Sequence, residues 1–193
     1  MISILDIDHY HSLELSEFIK SFSSEPLITT SESELLKSDK IIISFSGGIQ
    51  KAIRKIHLLN LFSALRMISN KPVLGINSGM HLLCEKVEET SCLAMIPTLI
   101  QKTEDFQVNN SVGNFSEIIL INEDLLFKGL NKSNLFYFES CNFIPKNEFT
   151  TSVLKSNQNI STSIRKGNFF GVQFVPQKSK ENGMILLKNF IEL

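Results

Sequence analysis

The stretch Val73-Leu74-Gly75-Ile76-Asn77-Ser78-Gly79-Met80 decides the fold. Its apolar start reads as a buried strand, and G-x-N-x-G carries that strand into a helix with the spacing of a nucleophile elbow. Gly75 and Gly79 allow the sharp turn and let strand and helix approach closely, so residue 77 projects alone over the sheet edge. In an active elbow the apex is Ser or Cys. Here it is Asn77, whose carboxamide cannot become an acyl carrier. Asn is nevertheless among the residues that best tolerate positive φ. The turn is expected to be kept with its chemistry given up.

On the N-terminal side, short apolar runs alternate with helical patterns. Strands are expected at Ile2 to Leu5, Leu27 to Thr29 and Ile41 to Ile43. Leu13, Leu15, Phe18, Ile19 and Phe22 place a helix after the first strand, and Ser31 with Glu34 forms a capping box for a brief helix through Leu36. Residues 50–69 read as one helix, with Ile53, Ile56, Leu59, Phe62, Leu65 and Ile68 spaced by three. This β-α-β rhythm predicts a mainly parallel sheet with helices on both faces. Beyond residue 93 strand-like segments crowd together, at 118–121, 135–138, 160–164 and 169–174, and are expected to extend the same sheet. Ser179 is the expected N-cap of a last helix carrying Met184, Leu187, Phe190 and Ile191.

Composition narrows the function classes. The 193 residues suit one domain, 1–193, with a continuous core. A net charge of -1 supplies no field to gather nucleic acid or an anionic membrane. No apolar run approaches the roughly 18 residues of a membrane span, and Asp6 interrupts the N-terminal run too early for a signal peptide. Cys84, Cys92 and Cys141 form neither a paired framework nor a metal clip, so a cytoplasmic setting is expected, with no metal and no cofactor.

Several ordered stretches now fall into place together: the strand ending at Asp6, the loop 44–48, residues 71–80, Leu93-Ala94-Met95-Ile96-Pro97, Leu126-Phe127-Lys128-Gly129, Phe136-Tyr137-Phe138, and the long run 166–179 leading into 186–190. In this order and spacing the chain resembles, over essentially its full length, the glutamine amidotransferase subunit of imidazole glycerol phosphate synthase, a class I glutaminase. The resemblance implies an α/β class I glutamine amidotransferase-like fold, with a mainly parallel central sheet, helices on both faces and additional antiparallel strands. It also implies a cyclase- or synthase-like (β/α)₈ barrel as partner, and glutamine as a possible ligand.

Members of that family carry Cys at the elbow apex, and His and Glu in a G-[VI]-Q-F-H-P-E stretch. The matching positions here are Asn77, Val175 and Gln177. Loss of the nucleophile alone costs on the order of 10⁶ in turnover in an acyl-transfer triad, and further losses add little. The oxyanion loop P-G-V-G reads Ser44-Phe45-Ser46-Gly47, and Phe45 cannot follow unusual backbone geometry at low cost. The family's P-H-M-G-W-N is Asn110-Ser111-Val112-Gly113-Asn114-Phe115, its V-H-S is Glu139-Ser140-Cys141, and its Y-G-M-G-N is Ile7-Asp8-His9-Tyr10-His11.

The residual pocket implied by the resemblance comprises Phe45, Ser46, Gly47, Gly48, Ser78, His81 and Cys141. His81, where the family has a substrate-contacting Gln, reads either as polar pocket lining or as a partly exposed helix histidine. Gly47-Gly48 could cradle an anion or simply form a tight turn. Cys84 reads as a packing cysteine; Cys141 borders the site and is the one alternative nucleophile considered. The partner face would include His9 and His11, in the loop after the first strand, with Tyr137, Lys178 and Ser179. The expectation is a catalytically inactive, glutaminase-like subunit. The alternatives are an amidotransferase, in histidine biosynthesis or in surface-sugar amidation, that uses an unrecognised nucleophile, and a glutamine sensor.

Overall fold

A computed structural model describes residues 1–102, 114–130, 134–139 and 142–193. In chain order its elements are β1 (Ile2–Leu5), α1 (His9–Lys20), β2 (Leu27–Thr29), α2 (Glu32–Lys37), β3 (Lys40–Phe45), α3 (Ile49–Leu58), α4 (Phe62–Met67), β4 (Val73–Asn77) and α5 (Ser78–Leu83). There follow β5 (Lys86–Val87), β6 (Thr90–Ser91), β7 (Leu99–Lys102), β8 (Asn114–Leu120), β9 (Leu135–Phe138), β10 (Asn142–Pro145), β11 (Thr150–Leu154), β12 (Asn157–Lys166), β13 (Phe169–Val172) and α6 (Lys180–Glu192). A short 3₁₀ turn, Pro176–Lys178, joins β13 to α6.

Five strands in the order β2-β1-β3-β4-β13 are mutually parallel. From β13 the sheet continues antiparallel through β12 to β10, with β11, β8 and β9 branching from β12. The fold is therefore α/β, with a parallel centre and antiparallel extensions, as the rhythm of the sequence predicts.

Period-two alternation sorts the central strands between two cores. Ile41 and Ile43 of β3 join Ile53, Ile56, Leu65 and Met80 from α3, α4 and α5. Ile42 and Leu74 face the other way, against Leu15 and Ile19 of α1 and Leu187 and Phe190 of α6. Every residue of β4 is buried, as a strand covered on both faces requires.

Several local expectations are corrected. The helix expected over 50–69 is two helices, because Asn60 adopts φ 57 and turns the chain. The apolar spacing survives the break since Ile56, Leu61, Leu65 and Ile68 all enter one core. Ser31 occupies the N-cap of α2 without a side-chain cap bond; Glu34 instead accepts from Thr29 Oγ1. Ser179 stands at the N-cap of α6, yet its hydroxyl donates to Val175 O at 2.7 Å and accepts from Tyr137 N at 3.0 Å. His9 and His11 lie in the first turn of α1 rather than in a loop, because Asp8 caps it by accepting from Tyr10 N and His11 N.

Candidate functional site

The carboxyl ends of adjacent parallel strands make a natural crevice for ligands. Here the ends of β3, β4 and β13 lie side by side, with Phe45 opposite Asn77 and Ile76 opposite Val172. Asn77, the loop after Phe45 and the segment Gln173 to Gln177 therefore share one edge.

Asn77 is the apex of a true elbow, with φ 54 and ψ -117, at the junction of β4 and α5. Sparsely populated geometry of this kind persists only where its surroundings enforce it. The enforcement is close packing of glycines. A Cβ on Gly75 would lie 2.5 Å from Gly79 O, and one on Gly79 would overlap the Ile43 carbonyl. Asn77 itself is buried, and its Oδ1 has no hydrogen-bond partner.

Next to the apex, Ser78 Oγ donates to Gly47 O at 3.3 Å, tying the loop to the elbow. Gly47 takes φ 121, a conformation that only glycine adopts cheaply. One turn into α5, His81 is only 1% exposed, which overturns the partly exposed reading. Its Nε2 donates to Gln173 Oε1 at 2.8 Å. Burial pulls the imidazole down to about 4, with the Gln173 bond opposing in part, so the ring is neutral near pH 7. Gln173 is fully buried and its Nε2 is without a partner. Gln173 is the residue of this edge that reasoning from the sequence passed over; its signal was a glutamine inside an otherwise apolar strand end.

A cleft of about 230 Å³ opens beside the elbow, lined by Gly47, Gly48, Ser78, His81, Glu88 and Asn142 among others. Phe45 and Ser46 line a neighbouring cleft of about 330 Å³, shared with Asp8, Lys51 and Lys55. Val175 is buried and lines neither. Gln177 sits half-buried in the 3₁₀ turn with Oε1 unpartnered. No thiol or imidazole reaches the edge from Val175 or Gln177. Cys141 lies outside the described residues, as do residues 110–113. Cys84 donates to Met80 O inside the core, and burial pushes its thiol well above the usual range. Among the described residues, no three His, Cys, Asp or Glu side chains are placed to hold a metal ion.

Beside this edge lies a charged face. Lys178 Nζ meets Glu139 Oε1 at 2.6 Å and Glu14 Oε1 at 3.9 Å. The Glu139 bond raises the lysine above its ordinary value. Tyr137 stacks edge-on against Phe115, and its ring lies under Lys178. His9 Nδ1 donates to Asp6 Oδ2 at 3.0 Å, while His11 lies between Asp8 and Glu14.

The family model for class-I glutamine amidotransferases matches residues 7–193. The chain belongs to the class-I glutamine amidotransferase family. It is 31% identical to the imidazole glycerol phosphate synthase subunit HisH of Buchnera aphidicola subsp. Schizaphis graminum, over 100% of this chain and 99% of that relative. It is 32% identical to the HisH subunit of Bacillus cereus (strain G9842), over 98% and 93%. Among solved structures, a glutamine amidotransferase superposes with a TM-score of 0.77 at 13% identity, covering 99% of this chain and 97% of that one. PurLQS from Thermotoga maritima does so with 0.70 at 14%, over 99% and 97%. Among the described residues, no helix is long and apolar enough to cross a membrane.

Proposed function

We propose that this amidotransferase-family chain is a single-domain, glutaminase-like subunit that does not hydrolyse glutamine, and that it docks on a (β/α)₈ synthase or cyclase barrel which it stabilises or regulates. The observation that carries this reading is Asn77 on an intact elbow. The strained backbone places a side chain for attack, and the side chain placed there has no acyl-accepting atom. Val175 and Gln177 offer neither a base for a nucleophile nor a carboxylate to orient one. The full-length similarity to HisH subunits supports a synthase barrel as the partner class, and the face of His9, His11, Tyr137, Lys178 and Ser179 is its proposed contact. Co-expression with a barrel of that class tests the reading. A stable complex whose ammonia-dependent synthesis exceeds that of the barrel alone, and does not respond to glutamine, is expected. Failure to associate removes the scaffold role.

The same similarity favours a second reading, an amidotransferase subunit that supplies ammonia through another nucleophile. Cys141 is its candidate, and Cys141→Ala would then abolish glutamine-dependent synthesis. A third reading, glutamine binding without cleavage, draws on the cleft beside Ser78 and His81. Its volume of about 230 Å³ is below the roughly 300–1,000 Å³ of pockets for drug-sized ligands, which suits nothing larger than a small metabolite. Absence of heat on titrating glutamine would end it.

A further inference from the structure

The elbow imposes on Asn77 a backbone geometry with a chemical consequence of its own. With four substituents arranged tetrahedrally at Cα, a ψ of -117 brings the Cβ of an L residue into near eclipse with the next amide nitrogen. Helices hold ψ near roughly -42° and strands near roughly +135°, where those two atoms are far from eclipse. We propose that Asn77 is a self-modification site, at which the Ser78 amide nitrogen closes on the Asn77 side-chain carbonyl carbon to form a cyclic imide. The inference concerns the elbow alone and is independent of whether glutamine is hydrolysed.

Three further observations support closure. The Ser78 N–H opens α5, where no carbonyl of the helix is available to accept it. Asn77 Oδ1 is buried without a hydrogen-bond partner, so no bond to that oxygen holds the carboxamide away from the main chain. Ser78 lines the cleft beside the elbow, which gives water a route to the imide. By contrast, Asn182-Gly183, the one Asn-Gly pair in the chain, lies within α6. There helical backbone keeps the reacting atoms apart, and Asn182 Nδ2 donates to Leu135 O at 3.0 Å.

In the first step the bond from Ser78 N to Asn77 Cγ forms and the bond from Cγ to Nδ2 breaks. The Ser78 amide proton leaves with the amine as ammonia. Water then adds to one imide carbonyl, its hydroxyl staying on carbon and its proton returning to the Ser78 nitrogen. Opening at Cγ leaves an aspartate at the apex; opening at the main-chain carbonyl leaves an isoaspartyl link that lengthens the elbow backbone. Neither step changes oxidation state, and water is the only co-reactant.

The test incubates the full chain in water enriched in oxygen-18, native and in denaturant, and follows the peptides containing Asn77 and Asn182 by mass spectrometry. In the native chain Asn77 should lose ammonia and take up one solvent oxygen roughly ten- to a hundredfold faster than in the denatured chain, since the fold has already met the backbone cost of closure. Asn182 is the internal reference and should react faster when unfolded. A native rate at Asn77 equal to or below its denatured rate overturns the proposal.

Discussion

At the residue scale the site holds three buried polar atoms without a hydrogen-bond partner. Asn77 Oδ1, Gln173 Nε2 and Gln177 Oε1 are all without hydrogen bonds, in a protein interior where such groups are ordinarily satisfied. His81 has a partner in Gln173, and burial holds its ring neutral although that bond opposes the shift in part. Its value of about 4 lies below the ordinary 6.5 of the unfolded chain, so the unfolded state binds the proton first. The stability it supports is full above about pH 6.5 and falls as the pH drops toward about 4, by at most about 1.4 kcal/mol per pH unit. Urea midpoints measured from pH 7 to 4 should show a shallower decline for His81→Gln than for the native chain; identical slopes would remove His81 from the account. The glycines were legible from the sequence because a strand-to-helix turn with that spacing demands them. The His81–Gln173 pair was not, because its partners are separated by 92 positions in the chain and meet only through the β4–β13 pairing.

At the scale of elements, the elbow depends on how closely β3, β4 and α5 approach. Gly79→Ala drives a Cβ into the Ile43 carbonyl, main chain that cannot give way, and should cost about 3 kcal/mol or more in denaturant unfolding. Gly48→Ala meets nothing within 4 Å and should cost less than about 1 kcal/mol. Ser179 fastens β9 to the turn before α6, so Ser179→Ala leaves Tyr137 N–H and Val175 O without that partner. A loss of about 1–3 kcal/mol follows from the stranded groups, readable by the same unfolding measurement; a neutral substitution would mean that the hydroxyl is dispensable. The central strands and the last helix could be read from apolar periodicity. The hairpin of β5 and β6 and the short β7, β10 and β11 escaped because they are too brief, or too rich in Ser, Thr and Asn, to show a period. The hydroxyls of Thr150, Thr151, Ser152, Ser161, Thr162 and Ser163 are buried there by bonding one another, a pairing that depends on strand register.

For the whole molecule, the proposed function separates scaffold from chemistry. The α/β fold is that of the glutamine amidotransferase the chain superposes on, and the difference proposed lies in the side chains displayed at the strand ends. A fold is held by many small packing terms, whereas acyl transfer depends on a few atoms acting as a unit, so the second is lost by changes the first tolerates. The proposed silence toward glutamine is tested most directly by glutamate release from the purified chain bound to its barrel partner, in the presence of the barrel's own substrate. The account predicts glutamate at the level of the barrel alone. Sustained release above that level, lost when a side chain of this subunit is substituted, would contradict it.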